Sequence, residues 1–191
     1  MAQAKRKKKF FDVDIPIIGK QTQLMAFEIK ELEGKEIKYD LTRMLKGKSV
    51  VLKLKVKVKN EKATSAPKEI NVLSYYIRRM VRKGSDYVED SFKANCKDAE
   101  VLVKPFLITR RKVSNSVKKA LRNETKKEIL ASFQKRNYEE LFEDLLKNKF
   151  QKGLSLKLKK IYPLSLCEIK MIKVIKEILK EKKDSEENEG K

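Results

Sequence analysis

Arg78, Arg79, Arg82 and Lys83 fall within six consecutive positions, beside the apolar set Leu73, Tyr76, Ile77 and Met80. That set recurs at i, i+3, i+4 and i+7, the stripe of an amphipathic helix. The guanidinium groups therefore occupy the other side, where their forked N–H donors match the oxygens of a phosphate. An ordinary solvated helix face interleaves Glu with Lys, yet Asn71 to Lys83 contains no acid. The chemistry this pattern suits is anion binding.

A second group, Arg110-Arg111-Lys112, continues through Lys118, Lys119 and Arg122. It begins where an apolar strand pattern gives way to a helical one. Ser114 stands at the N-cap position, so the first turn also offers N–H groups to an anion. Arg43, Lys46 and Lys48 form a further patch around Gly47, and Lys5-Arg6-Lys7-Lys8-Lys9 form a basic arm. Lys53, Lys55, Lys57 and Lys59 alternate with apolar residues. On a strand they stand about 6.6 Å apart, a spacing equally suited to following a phosphate backbone and to protecting a sheet edge.

Catalysis finds little support. The chain has no His, and Cys96 and Cys167 stand far apart, so neither a zinc site nor a disulfide framework is expected. Both cysteines are expected reduced and buried. Asp14 ahead of Glu28-Ile29-Lys30 resembles the D…E-x-K pattern of metal-dependent nucleases, in which carboxylates hold Mg²⁺. The same tripeptide begins at Glu33, Glu36, Glu124, Glu168, Glu181 and Glu189, so in this Lys-rich chain it carries no information. No catalytic residue, metal ligand, cofactor or small-molecule substrate is expected; an RNA-processing nuclease is the alternative.

Forty-eight Lys and Arg against 27 Asp and Glu leave a formal charge of +21 on 191 residues that are still 40% hydrophobic. A folded chain of this length has a radius of gyration of roughly 16 Å. So many like charges in that volume oppose compaction, and a polyanionic partner such as nucleic acid relieves the repulsion. Phe10, Phe11, Tyr75, Tyr76, Tyr87 and Tyr162 are available for stacking, but without an RNP-type pattern most are expected in the core. No run reaches the roughly 18 apolar residues of a membrane span, and no signal-peptide core follows the first charges. A soluble protein with no membrane partner is expected.

These clusters need elements to hold them. Residues 1–9 read as a disordered arm and 181–191 as a disordered acidic tail, leaving 10–180 as a single domain. Strand character marks Leu24–Ile29 and Ile37–Leu41. Val50, Leu52, Leu54, Val56 and Val58 alternate with polar positions across ten residues, the period of a half-buried strand. Asn60–Pro67 reads as a loop, Asn71–Lys83 as a helix ended by Gly84, and Asp86–Lys93 and Val101–Thr109 as strands. A helical region spans Ser114–Phe150 with a break near Asn137. Gly153 and Pro163 interrupt the next stretch, and Cys167–Lys176 reads as strand. The expected fold class is α+β, an antiparallel barrel-like sheet with flanking helices.

Several of these stretches resemble one family. Leu41-Thr42-Arg43-Met44-Leu45-Lys46-Gly47-Lys48, Tyr75 through Gly84, Asp86 through Phe92, Val103 through Arg122, and Lys159 through Leu164 leading into Cys167-Glu168-Ile169-Lys170 are similar to motifs of the S-three-A (e-S-one) proteins of the archaeal and eukaryotic small ribosomal subunit. The matches are collinear over roughly residues 10–180 and fit the archaeal branch, which lacks the long C-terminal extension of eukaryotic members. The resemblance implies a cytoplasmic, ribosome-bound structural protein. It would contact the 3′ region of small-subunit rRNA on the platform near the mRNA exit, beside neighbouring ribosomal proteins. It also implies a β-barrel-like core and no catalytic centre. One departure stands out: Phe10-Phe11, Ile15-Pro16 and Ile18-Gly19 follow one another closely, so the family's first strand or loop is trimmed here.

Overall fold

The computed structural model describes residues 7–45, 47–59 and 62–177. Among them, nine strands form one sheet: β1 (Lys9–Ile15), β2 (Lys20–Ala26), β3 (Glu36–Asp40), β4 (Val50–Lys59), β5 (Lys62–Val72), β6 (Tyr87–Glu89), β7 (Phe92–Asn95), β8 (Ala99–Thr109) and β9 (Leu164–Glu177). The main strand order is β2-β1-β5-β9-β8-β6, with β3 joined through β4 to β5 and β7 paired to β8. Every pairing is antiparallel except the short β1/β5 contact at Val13↔Ala63 and Asp14↔Thr64. The α+β class holds, but the order runs from β2 to β6 without rejoining, so the sheet is not closed into a barrel. Among the same residues, four α-helices accompany it: α1 (Ser74–Met80), α2 (Asn115–Phe133), α3 (Tyr138–Leu146) and α4 (Lys149–Leu158).

The alternating segment is β4, with Val50, Leu52, Leu54 and Val56 all buried. It is an interior strand, paired to β3 and β5, so its lysines do not guard an edge. Lys53 instead pairs with Glu69 of β5 at 2.9 Å and Lys57 with Glu177 of β9 at 3.0 Å.

The expected loop 60–67 is corrected. From Lys62 onward it is strand β5, which pairs in turn with β4, β1 and β9. Its Ser, Thr, Ala and Pro residues give no apolar alternation, yet Ala63, Ser65, Ala66 and Pro67 are buried because neighbouring strands surround them. Pro67 has no N–H for the ladder. The register shift between Lys53 and Leu54 absorbs this, leaving Lys68 as the extra residue of a β-bulge.

The expected helix 71–83 is shortened at both ends. Asn71 and Val72 remain in β5, paired to Val51 and Val50, and Val81 is extended with ψ 115°. Gly84, at φ +86°, turns the chain four residues after α1 rather than capping it. The helical region 114–150 divides at Asn137, as its sequence indicates, into α2 and α3, but breaks again at Asn148, with φ +56°, so that Lys149 and Phe150 already belong to α4. Gly153 does not interrupt a helix; it sits inside α4 with open space around its Cα, a cost of about 1 kcal/mol that packing of Leu154 and Leu158 absorbs. Pro163 does separate α4 from β9, and Cys167–Lys176 lies within that strand.

Leu121, Ile129 and Phe133 of α2, Leu141 and Phe142 of α3, and Leu158 of α4 share one core with the sheet. Phe106 to Thr109, the end of β8, is buried at every position, so both faces of the strand are covered there. Cys96 and Cys167 are free and buried, and burial raises their thiols to about 11 and about 12. Both are un-ionised packing residues at neutral pH.

Candidate nucleic-acid interface

The buried end of β8 is the anchor for the basic groups. β6 pairs with it through Tyr87↔Ile108, and one residue before β6 lies Asp86. The Thr109 N–H donates to the Asp86 carbonyl at 2.8 Å, and the Asp86 N–H donates to Thr109 Oγ1 at 3.1 Å. The Asp86 carboxylate accepts from the Val113 N–H and from Lys118 Nζ, each at 3.0 Å. This node fastens the chain that leaves α1 to the chain that leaves β8. Arg82 and Lys83 lie a few residues before this node and Arg110, Arg111 and Lys112 directly after it, so two basic stretches distant in sequence leave one corner of the sheet.

On its other side, α1 meets the turn between β3 and β4. Leu45, Gly47, Lys48, Tyr76, Arg79 and Met80 line one cavity of about 510 Å³. Gly47 makes this turn possible with φ +87°, and the Asp40 carboxylate fastens its start by accepting from the Thr42 N–H at 2.8 Å. Exposed Arg43 lies on the turn. Three sequence clusters therefore converge around α1.

Arg78, Arg79, Arg82, Lys83, Arg110, Arg111, Lys112, Lys119 and Arg122 are all exposed. None takes an ion pair among the described residues. Arg79 lies over the rings of Tyr75 and Tyr76, with its Cζ 5.7 and 5.8 Å from their centroids. Ser114 occupies the N-cap position of α2, but its hydroxyl meets Ser116 Oγ at 2.8 Å rather than capping the first turn.

Two residues of the expected set are spent within the fold. Lys118 serves Asp86. Lys48 Nζ lies 2.7 Å from Glu168 Oε2 and 2.8 Å from Asn148 Oδ1, with its side chain only 11% exposed, so its ammonium faces inward. The described end of the basic arm stands apart from the corner: Lys9 opens β1, and β5, β9 and β8 lie between that strand and β6. Lys7 and Lys8 are exposed there, with Lys8 over the Phe27 ring at 5.6 Å. Lys5, Arg6, Lys46 and the tail 181–191 lie outside the described residues.

The expectation of buried aromatics is corrected at three positions. Phe10 is 65% exposed, Tyr87 56% and Tyr75 48%. Lys170, on β9, escapes a sequence reading because it sits in an alternating strand with no basic neighbour, yet it reaches the same surface as Arg78.

The nuclease alternative loses its geometry. Asp14 pairs in register with Gln21, whereas Glu28 lies beyond Ala26, the partner of Lys9. Five residues of antiparallel strand, about 17 Å, separate the two ends of this hairpin. Asp14 is occupied instead by Gln21 Nε2 at 2.8 Å.

Hydrogen bonding from Val113 and then the ion pair with Lys118 hold the Asp86 carboxyl below its ordinary 3.8. A carboxyl with a depressed folded pKa binds protons more readily when unfolded, so its stabilisation is full above pH 3.8 and fades as pH falls through the folded value. In paired denaturation curves, the stability difference between the wild type and Asp86→Asn is expected to be constant above about pH 5 and to close below 3.8. A difference that stays constant into acid would remove the ionised carboxylate from the account of this corner.

The sequence has relatives among known proteins. Residues 2–178 match the model of the Ribosomal S3Ae family. The chain is 25% identical over 166 residues to the small ribosomal subunit protein eS1 of Nanoarchaeum equitans, covering 83% of this chain and 84% of that one. It is 31% identical over 107 residues to eS1 of Methanothermobacter thermautotrophicus, covering 56% of this chain and 55% of that one. It is 26% identical over 140 residues to eS1 of Pyrobaculum arsenaticum, 72% and 64% of the respective chains. With a family model spanning nearly the whole sequence, the chain belongs to the ribosomal S3Ae family.

Proposed function

We propose that the protein is a structural constituent of the small ribosomal subunit that binds small-subunit rRNA through the basic corner around α1. The meeting of two acid-free segments, 78–83 and 110–122, with nine exposed cations that take no ion pair among the described residues, carries this reading. Family membership and the relatives' names supply the setting. A corner of this kind binds through phosphates and counterion release, which fixes position without reading sequence. Arg43, on the turn beside α1, extends this surface, and the arm residues Lys5 to Lys9 add further contacts, consistent with a protein enclosed by RNA on several sides.

The finer placement rests on the motif resemblance: the platform near the mRNA exit, against the 3′ region of the rRNA and beside other ribosomal proteins. The bound protein is then cytoplasmic, and its role is non-enzymatic. In sucrose gradients of cell lysate, the protein is expected to travel with the small subunit at one copy each and to remain there in high salt. Sedimentation in the free-protein fractions, or with intact RNA polymers of every kind, overturns the assignment.

A further inference from the structure

Between α1 and the strands beneath it opens a cleft of about 490 Å³, within the range of sites that hold a small organic ligand. Its apolar wall is Ile77 of α1 and Val81 just beyond that helix, with Phe106 of β8. Tyr87 stacks on Phe106 with centroids 5.8 Å apart and planes at 24°, yet remains 56% exposed. Phe106 is buried, so the tyrosine ring is supported from one side and held at a fixed angle. An aromatic ring that is pinned on one face and open on the other stacks a further ring at little entropic cost.

The rim is cationic. Arg78 stands on the α1 side and Lys170 on the β9 side, and the acid in the lining, Glu89, lies 3.5 Å from Lys170. We propose that this cleft receives one unstacked base of a single-stranded RNA segment, with the base against Tyr87 and its phosphate on Arg78. This rests on the RNA-binding reading and specifies what part of the RNA is taken. Charge and shape select the occupant. The apolar wall and aromatic platform suit a base, the arginine suits its phosphate, and Glu89 with Lys170 offer an acceptor and donors to the base edge. A duplex buries its base faces in its own stack and cannot fill such a cleft.

The full-length protein is titrated with two probes: a 12-nucleotide oligoadenylate carrying a central 2-aminopurine, and a 20-base-pair RNA duplex. Tyr87→Ala and Tyr87→Leu are expected to weaken the single strand about tenfold, and Tyr87→Phe to leave it within about twofold. Duplex affinity is expected to be unchanged in all three. The leucine variant keeps apolar cover over Phe106, and thermal melts confirm that each variant is folded. Equal affinities for the single strand across the series, or equal losses on both probes, overturn the inference while leaving RNA binding intact. Failure of the wild type to bind either probe removes the RNA-binding reading and the inference with it. In assembled small subunits, a photoreactive benzoylphenylalanine replacing Tyr87 is expected to crosslink to rRNA. A crosslink to protein instead identifies a peptide as the occupant and overturns the proposal.

Discussion

Replacing Arg78, Arg79 and Arg82 together with Gln is expected to lower affinity for small-subunit rRNA on the order of a hundredfold near 0.1 M salt, and to do so without unfolding the protein. Each phosphate contact releases close to one condensed counterion, so its contribution grows with the logarithm of dilution. Three lost contacts flatten the plot of log affinity against log salt by about 2 to 3, and the wild-type and variant lines converge toward 1 M. Stability is little affected, because all three side chains are exposed and only Arg79 has ring contacts to lose, worth about 0.5–1 kcal/mol. The comparison that gives the result meaning is a second triple variant, Lys55, Lys59 and Lys62 to Gln. It removes the same charge from exposed positions on β4 and β5, outside the corner. Its slope is expected to stay near that of the wild type. If both triples flatten the slope equally, overall charge binds the RNA and the corner has no special place.

The corner is legible in the sequence as separate pieces and not as one surface. The acid-free stretches 71–83 and 110–122 announce phosphate chemistry by composition alone. Their junction depends on Thr109 and Asp86, two polar residues 23 apart whose hydrogen bonds exist only once β6 has found β8. Local patterning carries no information about such a pair. The same reason separates β4 from β5. β4 announces itself because one face is buried and one is not, which imposes a period of two. β5 is enclosed by three other strands, and its small residues fit that crowding without alternating, so it resembles a loop. Asn71 and Val72 fit a helical reading and are strand because β4 offers them partners, an example of tertiary context overriding propensity. Tyr87 reads as a core residue because no RNP-type pattern surrounds it, although tyrosines are only intermediate in burial. Its exposure arises because Phe106 already fills the space beneath it.

Lys48 is where charge alone is most misleading. By sequence it belongs to the basic patch around Gly47, and a phosphate contact predicts that its loss weakens RNA binding and flattens the salt slope by about one. The structure gives it different work. Its ammonium joins the β3–β4 turn to Glu168 on β9 and to Asn148 between α3 and α4, segments 120 and 100 residues away. Glu168 is itself only 14% exposed, and its charge raises the pKa of Tyr76, already lifted by burial. Lys48→Met is therefore expected to strand a carboxylate away from water, at a cost of about 2–3 kcal/mol, below the roughly 3–5 kcal/mol of fully buried pairs because a cavity admits solvent beside it. In a domain of this size that lowers Tm by roughly 5–10 °C. The double variant Lys48→Met, Glu168→Gln is expected to recover more than half of the loss, since removing both charges leaves nothing unpaired. Across this cycle the salt slope for rRNA stays at the wild-type value. A stable Lys48→Met protein with a slope reduced by one would return Lys48 to the RNA-contacting set and make its inward ion pair incidental.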